Sequence, residues 1–293
     1  MRVLITGAGG QVGYELSRLA PAEFEVLGLD SAALDITDLG QVQSAVAWIQ
    51  PGLIINAAAY TAVDKAESDA ERAWAVNQDG VANLATAAKG LEIPVLHIST
   101  DYVFAGDADT PYSETDPTGP TGVYGASKLA GENALAAACS RYLVLRTSWV
   151  FGAHGNNFVK TMLRLGNERD SLSVVADQQG GPTSAVSIAT ALWKLAEMYR
   201  IRQELPRGVY HFSGTPYCSW FEFAEEIFRQ AESLGQVQQC PQLSAITTAD
   251  YPTPAKRPAW SVMDCSKLEK ASGIVPPCWK EDLRDVLIEL SKR

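Results

Sequence analysis

A strand, a glycine-rich turn and a helix at the N-terminus constrain the fold of this chain more than any other feature. Arg2-Val-Leu-Ile-Thr6 is typical of a fully buried β-strand, Gly7, Gly10 and Gly13 follow, and residues 11–19 have the apolar period of a helix. The first glycine permits the tight turn, the second lets a pyrophosphate approach the backbone, and the third lets helix and strand pack closely. An isolated match of this kind can be a plain turn, but here the strand and helix that a dinucleotide-binding motif requires are present.

A second predicted strand, at residues 24–29, ends at Asp30. A carboxylate at this distance from the glycine turn normally accepts hydrogen bonds from the adenosine ribose hydroxyls. Because it would repel a 2′-phosphate, NADH is the electrostatically easier cofactor. Asp35 and Ile36 follow a short segment and are candidate neighbours of the adenine, although a surface turn explains them about equally well.

Short aliphatic strands alternate with helical patterns along the first half of the chain. The strands fall at residues 53–56, 95–99 and 142–146, and the helical patterns at residues 39–49, 66–89 and 126–139. This alternation predicts an α/β fold with a Rossmann-type doubly wound parallel sheet.

The pattern changes after residue 150, where helical stretches are followed by a strand-like run at residues 208–212 and a proline-rich stretch at 251–258. A chain of 293 residues also exceeds the usual size of one domain. We therefore expect an NAD(P)-binding domain over residues 1–150, to which later segments return, and a smaller, mainly substrate-binding C-terminal lobe over residues 151–293.

Composition narrows the class of protein. With 34 acidic against 24 basic side chains, the net charge of −10 argues against nucleic acid or an anionic membrane as a partner. No apolar run approaches the length of about 20 residues that a membrane span needs, and a strand beginning at residue 2 leaves no room for a signal peptide. The 5 cysteines form no C-x-x-C pair and the 3 histidines show no metal-ligand spacing. We expect a cytoplasmic protein without a metal site.

The segment Tyr124-Gly-Ala-Ser-Lys128 carries the candidate chemistry. On a helix the phenol and the ammonium would share one face, and the cation would favour ionisation of a phenol whose ordinary pKa is about 10. Thr100 is a candidate to hold the reacting oxygen beside Tyr124. This spacing alone is common on solvated helix faces, but after a nucleotide-binding motif it predicts a site that moves a hydride and a proton.

Other candidate residues follow predicted strands, where ligands bind in such sheets. Ala59, Tyr60 and Thr61 come after the strand at 53–56, and small side chains there would let a cofactor lie against the backbone. Trp149 could wall the nicotinamide or stack on a sugar, or be a core residue between lobes. Arg257, in a proline-flanked cationic loop, is either a phosphate ligand or part of a solvated charge pair.

Several segments together resemble the dTDP-4-dehydrorhamnose reductase family of extended short-chain dehydrogenases. They include Gly7-Ala-Gly-Gly-Gln-Val-Gly13, Ser99-Thr-Asp-Tyr-Val-Phe104, Val123-Tyr-Gly-Ala-Ser-Lys128, Arg146-Thr-Ser-Trp149, Gly180-Gly-Pro-Thr183 and Tyr251-Pro-Thr-Pro-Ala-Lys-Arg-Pro258. The resemblance extends over essentially the whole chain. It implies reduction of the C4 keto group of dTDP-4-dehydro-β-L-rhamnose by NADH or NADPH, the last step to dTDP-β-L-rhamnose.

The resemblance also implies roles for individual residues. On the cofactor side these are Gly10, Gln11 and Val12 at the pyrophosphate, between Gly7 and Gly13; Asp30 at the ribose; Asp35 and Ile36 at the adenine; Ala59, Tyr60 and Thr61 at the nicotinamide half; and Lys128 at the nicotinamide ribose. On the substrate side they are Thr100, Asp101, Tyr124 and Trp149 at the sugar, with Arg257 added from its charge. Tyr124 would be the proton donor.

One position departs from the family pattern. Some members hold magnesium at a dimer contact through two glutamates, of which Glu15 matches one, whereas Val186 stands at the position of the other. With half of the carboxylate pair missing, magnesium is doubtful, and we expect a monomer or a weak homodimer.

Two alternatives remain open. Another NDP-sugar 4-reductase or epimerase could use the same Thr100, Tyr124 and Lys128. A non-catalytic regulatory subunit, like the methionine adenosyltransferase β-subunit, is similar to this family, although the intact set of three residues favours an enzyme.

Overall fold

The strands were located in a computed structural model that describes residues 1–237 and 239–292. In chain order they are β1 (Arg2–Thr6), β2 (Glu25–Leu29), β3 (Leu53–Asn56), β4 (Val95–Thr100), β5 (Tyr142–Thr147), β6 (Val150–Phe151), β7 (Ser171–Val175), β8 (Gln179–Gly180), β9 (Thr183–Ser184), β10 (Gly208–His211), β11 (Cys218–Ser219) and β12 (Gln242–Ile246). Six of them form one sheet in the order β10-β5-β4-β3-β1-β2, and every neighbouring pair in it is parallel. This confirms the predicted α/β fold.

The helices cover both faces of this sheet or belong to the second half of the chain. They are α1 (Gln11–Arg18), α2 (Leu39–Ile49), α3 (Val63–Ala66), α4 (Ala70–Trp74), α5 (Gly80–Leu91), α6 (Val123–Ala138), α7 (Phe158–Glu168), α8 (Ala185–Arg202), α9 (Trp220–Ser233), α10 (Ser266–Ser272) and α11 (Trp279–Leu290). A π-helical turn spans Ala75–Asp79, and 3₁₀ turns span Asp101–Val103 and Thr248–Asp250. Within the described residues no helix is long and apolar enough to cross a membrane.

Alternation along β1 shows how the sheet is buried on both faces. Val3 and Ile5 pack with Leu16 of α1 and with α8, whereas Leu4 lies in a separate core with α2, α5 and α6. Successive side chains of a strand point to opposite faces, so one apolar run fills both cores. Strand order reverses between β1 and β3, and such a switch point opens a crevice at the carboxyl ends of the strands.

The second half of the chain forms an apolar core of its own and also adds elements to the central sheet and its packing. A third apolar core contains Phe151, Phe223 and Trp279, and joins α7, α9 and α11 to the parallel pair β7 and β12. However, β10 pairs with β5 in the central sheet, and α8 packs in the core of α1. The division into residues 1–150 and 151–293 remains a prediction.

The structure differs most from the sequence prediction over residues 66–89, where one helical pattern was expected. The chain instead forms α4, a π-helical turn and α5 in succession, preceded by the single turn α3. The π-helical turn carries Asn77, whose buried side chain bonds to groups outside the helix. Such tertiary contacts are invisible to a periodic pattern.

Candidate active site

The glycine turn after β1 is set by backbone contacts. Gly7 has a φ of +72°, and a Cβ there would lie 2.5 Å from the Ala58 nitrogen. A Cβ on Gly13 would lie 2.1 Å from the Gly7 oxygen, so helix and strand can approach only with glycine there. At Gly10 a Cβ would meet that oxygen at 3.4 Å, an ordinary contact. Packing therefore requires Gly7 and Gly13, whereas the protein itself leaves room at Gly10.

The N-terminus of α1 suits an anion. Its N-cap, Gly10, supplies no side-chain hydrogen bond, so the first N–H groups of the helix, beginning at Gln11 and Val12, are not capped by that residue. The Gln11 side chain accepts a hydrogen bond of 2.9 Å from Asn157, and the ring of His154 lies 3.0 Å from the Gly9 oxygen. The second half of the chain thus holds the glycine turn in place.

Asp30 lies directly after β2 and beside the turn. A Cβ on Gly9 would be 3.5 Å from the Asp30 Cβ, and the Asp30 carboxylate is exposed while accepting from the Ala32 and Ala33 N–H groups at 3.0 Å each. Asp35 is also exposed and is bonded to Thr37.

Ile36 lies differently. Its side chain is 5% exposed and packs in the core, so a contact with adenine would have to use its backbone.

The loop after β3 carries Ala59, Tyr60 and Thr61, which are half-buried or exposed. Asn77, from the π-helical turn, fixes this loop: its Oδ1 accepts from the Tyr60 N–H at 2.8 Å and its Nδ2 donates to the Tyr60 oxygen at 3.1 Å. The same Nδ2 donates to Ser127 of α6 at 3.0 Å. Asn77 therefore connects the loop to the helix of Tyr124, a role that the sequence prediction missed.

Tyr124 lies in the first turn of α6, and Thr100 ends β4. A Cβ on Gly125 would be 2.1 Å from the Tyr102 oxygen, so α6 packs directly on the chain that follows Thr100. Burial raises the pKa of Tyr124 above its ordinary value, as do Asp101 and Tyr102, while a hydrogen bond with Thr100 lowers it. The phenol is therefore protonated at neutral pH, the state that a proton donor requires.

Lys128 is 2% exposed, and its Nζ donates to the Ile98 oxygen at 2.7 Å. Burial lowers the pKa of Lys128 to about 8, and Glu132 opposes the shift. Among the described residues, the groups that shift the Tyr124 pKa are Thr100, Asp101 and Tyr102, with burial the largest cause. Tuning of the phenol by Lys128 thus remains a prediction, because the ammonium is turned toward a carbonyl of β4.

Asp101 is buried beside Thr100, whose hydroxyl donates to its Oδ1 at 2.9 Å. Burial raises the pKa of Asp101 to about 6, and the nearby Ser261 and Thr100 hydroxyls oppose this. The Asp101 carboxylate and the Tyr124 phenol are thus both partners of Thr100, at the end of one strand.

Arg257 belongs to a network behind Tyr124. It donates to the Tyr102 hydroxyl at 2.9 Å and to Asp64 at 2.6 Å, and the Tyr102 ring meets the Tyr124 ring edge-on at 5.4 Å between centroids. Arg257 is therefore partly buried and paired rather than a solvated charge. A phosphate contact of Arg257 remains a prediction, with Asp64 as its competitor.

Trp149 has a φ of +46°, which is uncommon for a residue with a side chain. Its ring stacks on Trp220 at 3.6 Å between centroids, and a Cβ on Gly180 would lie 2.4 Å from the indole. The half-buried ring thus connects the strand ends to the second half of the chain. This packing supports the interpretation as a core residue between lobes and leaves sugar stacking as a prediction.

A buried ion pair holds α6 against the sheet. Glu132 accepts from Arg146 of β5 at 2.7 Å and from Ser99 of β4 at 2.5 Å, and both charged side chains are at most 5% exposed. Glu132 lies four residues beyond Lys128 on one face of α6. This spacing is the signal in the sequence that could have identified Glu132 as a neighbour of Lys128.

The positions compared with the magnesium-binding pattern are both on helices. Glu15 is 1% exposed and pairs with Arg18 at 2.6 Å, while Val186 lies in the first turn of α8. Over the part of the chain that is described, no group of three or more His, Cys, Asp or Glu side chains is placed to hold a metal. The predicted lack of a metal site stays a prediction.

Comparisons with known proteins agree over nearly the whole length. A protein-family model described as the RmlD substrate binding domain matches residues 1–292. A dTDP-4-dehydrorhamnose reductase of Aggregatibacter actinomycetemcomitans is 48% identical over 287 residues, which cover 97% of this chain and 98% of that protein.

Solved structures give the same result. A dTDP-4-dehydrorhamnose reductase of Clostridium acetobutylicum aligns with a TM-score of 0.91 and 40% identity, over 100% of both chains. That of Bacillus anthracis, in complex with NADP, aligns with a TM-score of 0.91 and 40% identity over 98% of this chain and 99% of that one. The full-length family match, together with this identity, shows that the chain belongs to the dTDP-4-dehydrorhamnose reductase family.

Proposed function

We propose that this protein reduces the C4 keto group of dTDP-4-dehydro-β-L-rhamnose to dTDP-β-L-rhamnose with NADH or NADPH. The observation that carries the proposal is the meeting of Thr100 and Tyr124, with buried Lys128, at the carboxyl ends of the sheet in a chain 48% identical to a named reductase. A dTDP-sugar is the substrate and NAD(P)H the reductant.

The residues present fit a dinucleotide. Room at Gly10 and an uncapped start of α1 suit a pyrophosphate, and exposed Asp30 beside Gly9 suits the adenosine ribose. Ala59, Tyr60 and Thr61 would hold the nicotinamide half, with Lys128 at its ribose. The reduced nicotinamide, when bound, supplies the hydride.

Side chains of the protein supply the proton and stabilise the charge that its transfer leaves behind. Tyr124 donates its phenolic proton to the C4 oxygen as negative charge develops there, a contribution of roughly 10²- to 10⁴-fold in rate for a general acid. In the structure the Thr100 hydroxyl donates its single proton to Asp101 at 2.9 Å. As Tyr124 gives up its proton, the Thr100 hydroxyl turns from Asp101 to donate to the phenolate, which it thereby stabilises.

We also propose that the protein is cytoplasmic. All five cysteines are free, which suits the reducing cytoplasm. We further propose that neither nucleic acid nor a membrane is a partner, given the net charge of −10, and that the protein is a monomer or a weak homodimer.

A substrate panel tests the activity. NDP-4-keto sugars are incubated with NADH or NADPH, and the loss of nicotinamide absorbance is followed. Stoichiometric oxidation confined to dTDP-4-dehydrorhamnose is expected. Turnover without net oxidation of the cofactor would indicate an epimerase, and no turnover together with co-purification of a synthetase would indicate a regulatory subunit.

A further inference from the structure

A row of buried polar side chains crosses the sheet behind Lys128. Thr6, Asn56 and His97 are register partners on β1, β3 and β4, and they are at most 1% exposed. The Thr6 hydroxyl lies 2.7 Å from Asn56 Oδ1, Asn56 Nδ2 lies 3.0 Å from His97 Nδ1, and His97 Nε2 lies 3.4 Å from the Lys128 Nζ. Polar groups in the centre of a parallel sheet are costly unless they are paired, so their roles as donors and acceptors are well determined.

The backbone fixes the orientation of the Asn56 amide. The Ala58 N–H donates to Asn56 Oδ1 at 3.0 Å. Exchanging the oxygen and nitrogen would bring an NH₂ group against that N–H, with two donors facing each other. Asn56 Nδ2 therefore faces His97 as a donor.

This orientation selects one tautomer of His97. Because Asn56 Nδ2 has only protons to offer, His97 Nδ1 must be the acceptor. Burial and the charge of Lys128 lower the pKa of His97 well below its ordinary value, so the ring is neutral. A neutral ring with a bare Nδ1 carries its proton on Nε2, the atom that faces Lys128.

The distances around the ammonium agree with this assignment. Lys128 Nζ is 2.7 Å from the Ile98 oxygen but 3.4 Å from His97 Nε2, longer than an ordinary hydrogen bond. A protonated Nε2 offers the ammonium no lone pair, so two donors face each other at 3.4 Å, and avoiding this would require the Asn56 amide to turn its own NH₂ against the Ala58 N–H. The acceptor of Lys128 among these groups is therefore the Ile98 oxygen and not His97.

We propose that Asn56 and His97 are positioning residues for the reaction. Asn56 holds His97 as the Nε2–H tautomer, and that N–H denies Lys128 an acceptor on His97, so the ammonium bonds to the Ile98 oxygen of β4 and keeps its other N–H groups for the cofactor. The role in turnover rests on the proposed reductase function, whereas the tautomer does not.

The groups that surround Lys128 set its pKa, and through it the pH dependence of kcat. Tyr124 and Glu132 flank it on α6, and on the sheet side His97 of β4 faces it, while Arg146 of β5 is paired with Glu132. Burial lowers the Lys128 pKa to about 8 and Glu132 opposes this. A lysine keeps its ammonium below its pKa, so we expect kcat to fall as the pH rises through about 8.

The tautomer is read directly by ¹⁵N NMR of the intact protein with labelled histidine. His97 is expected to show a bare Nδ1 and a protonated Nε2, unchanged between about pH 6 and 9. The variants H154A and H211N identify the signals of the other two rings. A protonated Nδ1, or a ring that titrates in this interval, would overturn the proposal whether or not the protein is a reductase.

The variant N56D tests the effect on Lys128. A carboxylate only accepts hydrogen bonds, so His97 Nδ1 would donate to it and Nε2 would become an acceptor for the ammonium. The alkaline limb of the kcat profile is then expected to move up by about one pH unit or more. The control is N56D in an H97Q background, which has the carboxylate but no imidazole. An equal shift in both variants would assign the effect to charge alone and refute the positioning role.

Discussion

Replacing two glycines of the same turn with alanine is expected to impair different properties of the protein, stability at one position and cofactor binding at the other. At Gly13 the new Cβ would lie 2.1 Å from the Gly7 oxygen and 2.8 Å from the Ala8 Cα, and neither backbone atom can rotate away. At Gly10 the nearest atom is 3.4 Å away and the backbone is extended, with a φ of −78° that alanine adopts freely. The first change therefore strains the fold, and the second affects only what binds the turn.

The magnitudes follow from these contacts. Overpacking at Gly13 should lower the free energy of unfolding by about 1–3 kcal/mol or more, against about 1 kcal/mol that alanine contributes to a helix interior. Gly10→Ala should change it by less than about 1 kcal/mol, the difference between glycine and alanine at an N-cap. A hydrogen bond to a charged group stabilises by about 1.5–3 kcal/mol, so a methyl group that keeps the pyrophosphate off one N–H should weaken cofactor binding roughly 10- to 100-fold.

Urea unfolding of the cofactor-free protein and titration with NADPH separate the two effects. Gly90→Ala is the matched control, because a Cβ there meets nothing within 4 Å, and it should be neutral or stabilising with unchanged binding. Wild-type cofactor affinity in Gly10→Ala would refute the placement of the pyrophosphate. Wild-type stability in Gly13→Ala would refute the packing argument.

Four further outcomes are expected. Tyr124→Phe should lower kcat by roughly 10²- to 10⁴-fold with cofactor affinity unchanged, and activity within a few-fold of wild type would exclude Tyr124 as the acid. Asp30→Ala should improve the use of NADPH relative to NADH, measured as the ratio of kcat/KM values, because a carboxylate repels a 2′-phosphate; an unchanged ratio would remove Asp30 from the ribose. Glu132→Gln should lower the free energy of unfolding by about 3–5 kcal/mol, since it leaves Arg146 buried and unpaired. Glu168→Gln, which breaks an exposed pair with Arg164, should lower it by less than about 1 kcal/mol. Equal losses of stability in the two variants would contradict the burial argument. Light scattering with and without a chelator should give the same mass, because Glu15 pairs with Arg18 and Val186 supplies no carboxylate; a dimer restored specifically by magnesium would contradict this.

Motifs governed by local geometry could be read from the sequence. The strand at Arg2–Thr6, the three glycines and the position of Asp30 after β2 follow from short-range constraints on turns and strands, and the structure has each where it was predicted. The same holds for Tyr124 and Lys128 on one helix, because four residues make about one helical turn.

The sequence did not reveal which distant groups surround those residues. Asn77 lies in a π-helical turn inside a stretch predicted as one helix, and Arg257 is paired with Asp64, 193 positions away in the chain. The pKa of Tyr124 is raised mainly by burial, which a linear pattern does not contain.

The sequence by itself therefore determined the class of fold, the family and the identity of the candidate catalytic side chains, since each depends on residue type and local spacing. Only the tertiary structure decided the protonation and direction of those side chains. In the sequence, Asn56 and His97 are polar residues within two otherwise apolar strands. Their alignment across β3 and β4 sets which ring nitrogen of His97 faces Lys128. Parallel strands bring together residues separated by a whole crossover, so the register of the sheet, and not the order of the chain, fixes these hydrogen bonds.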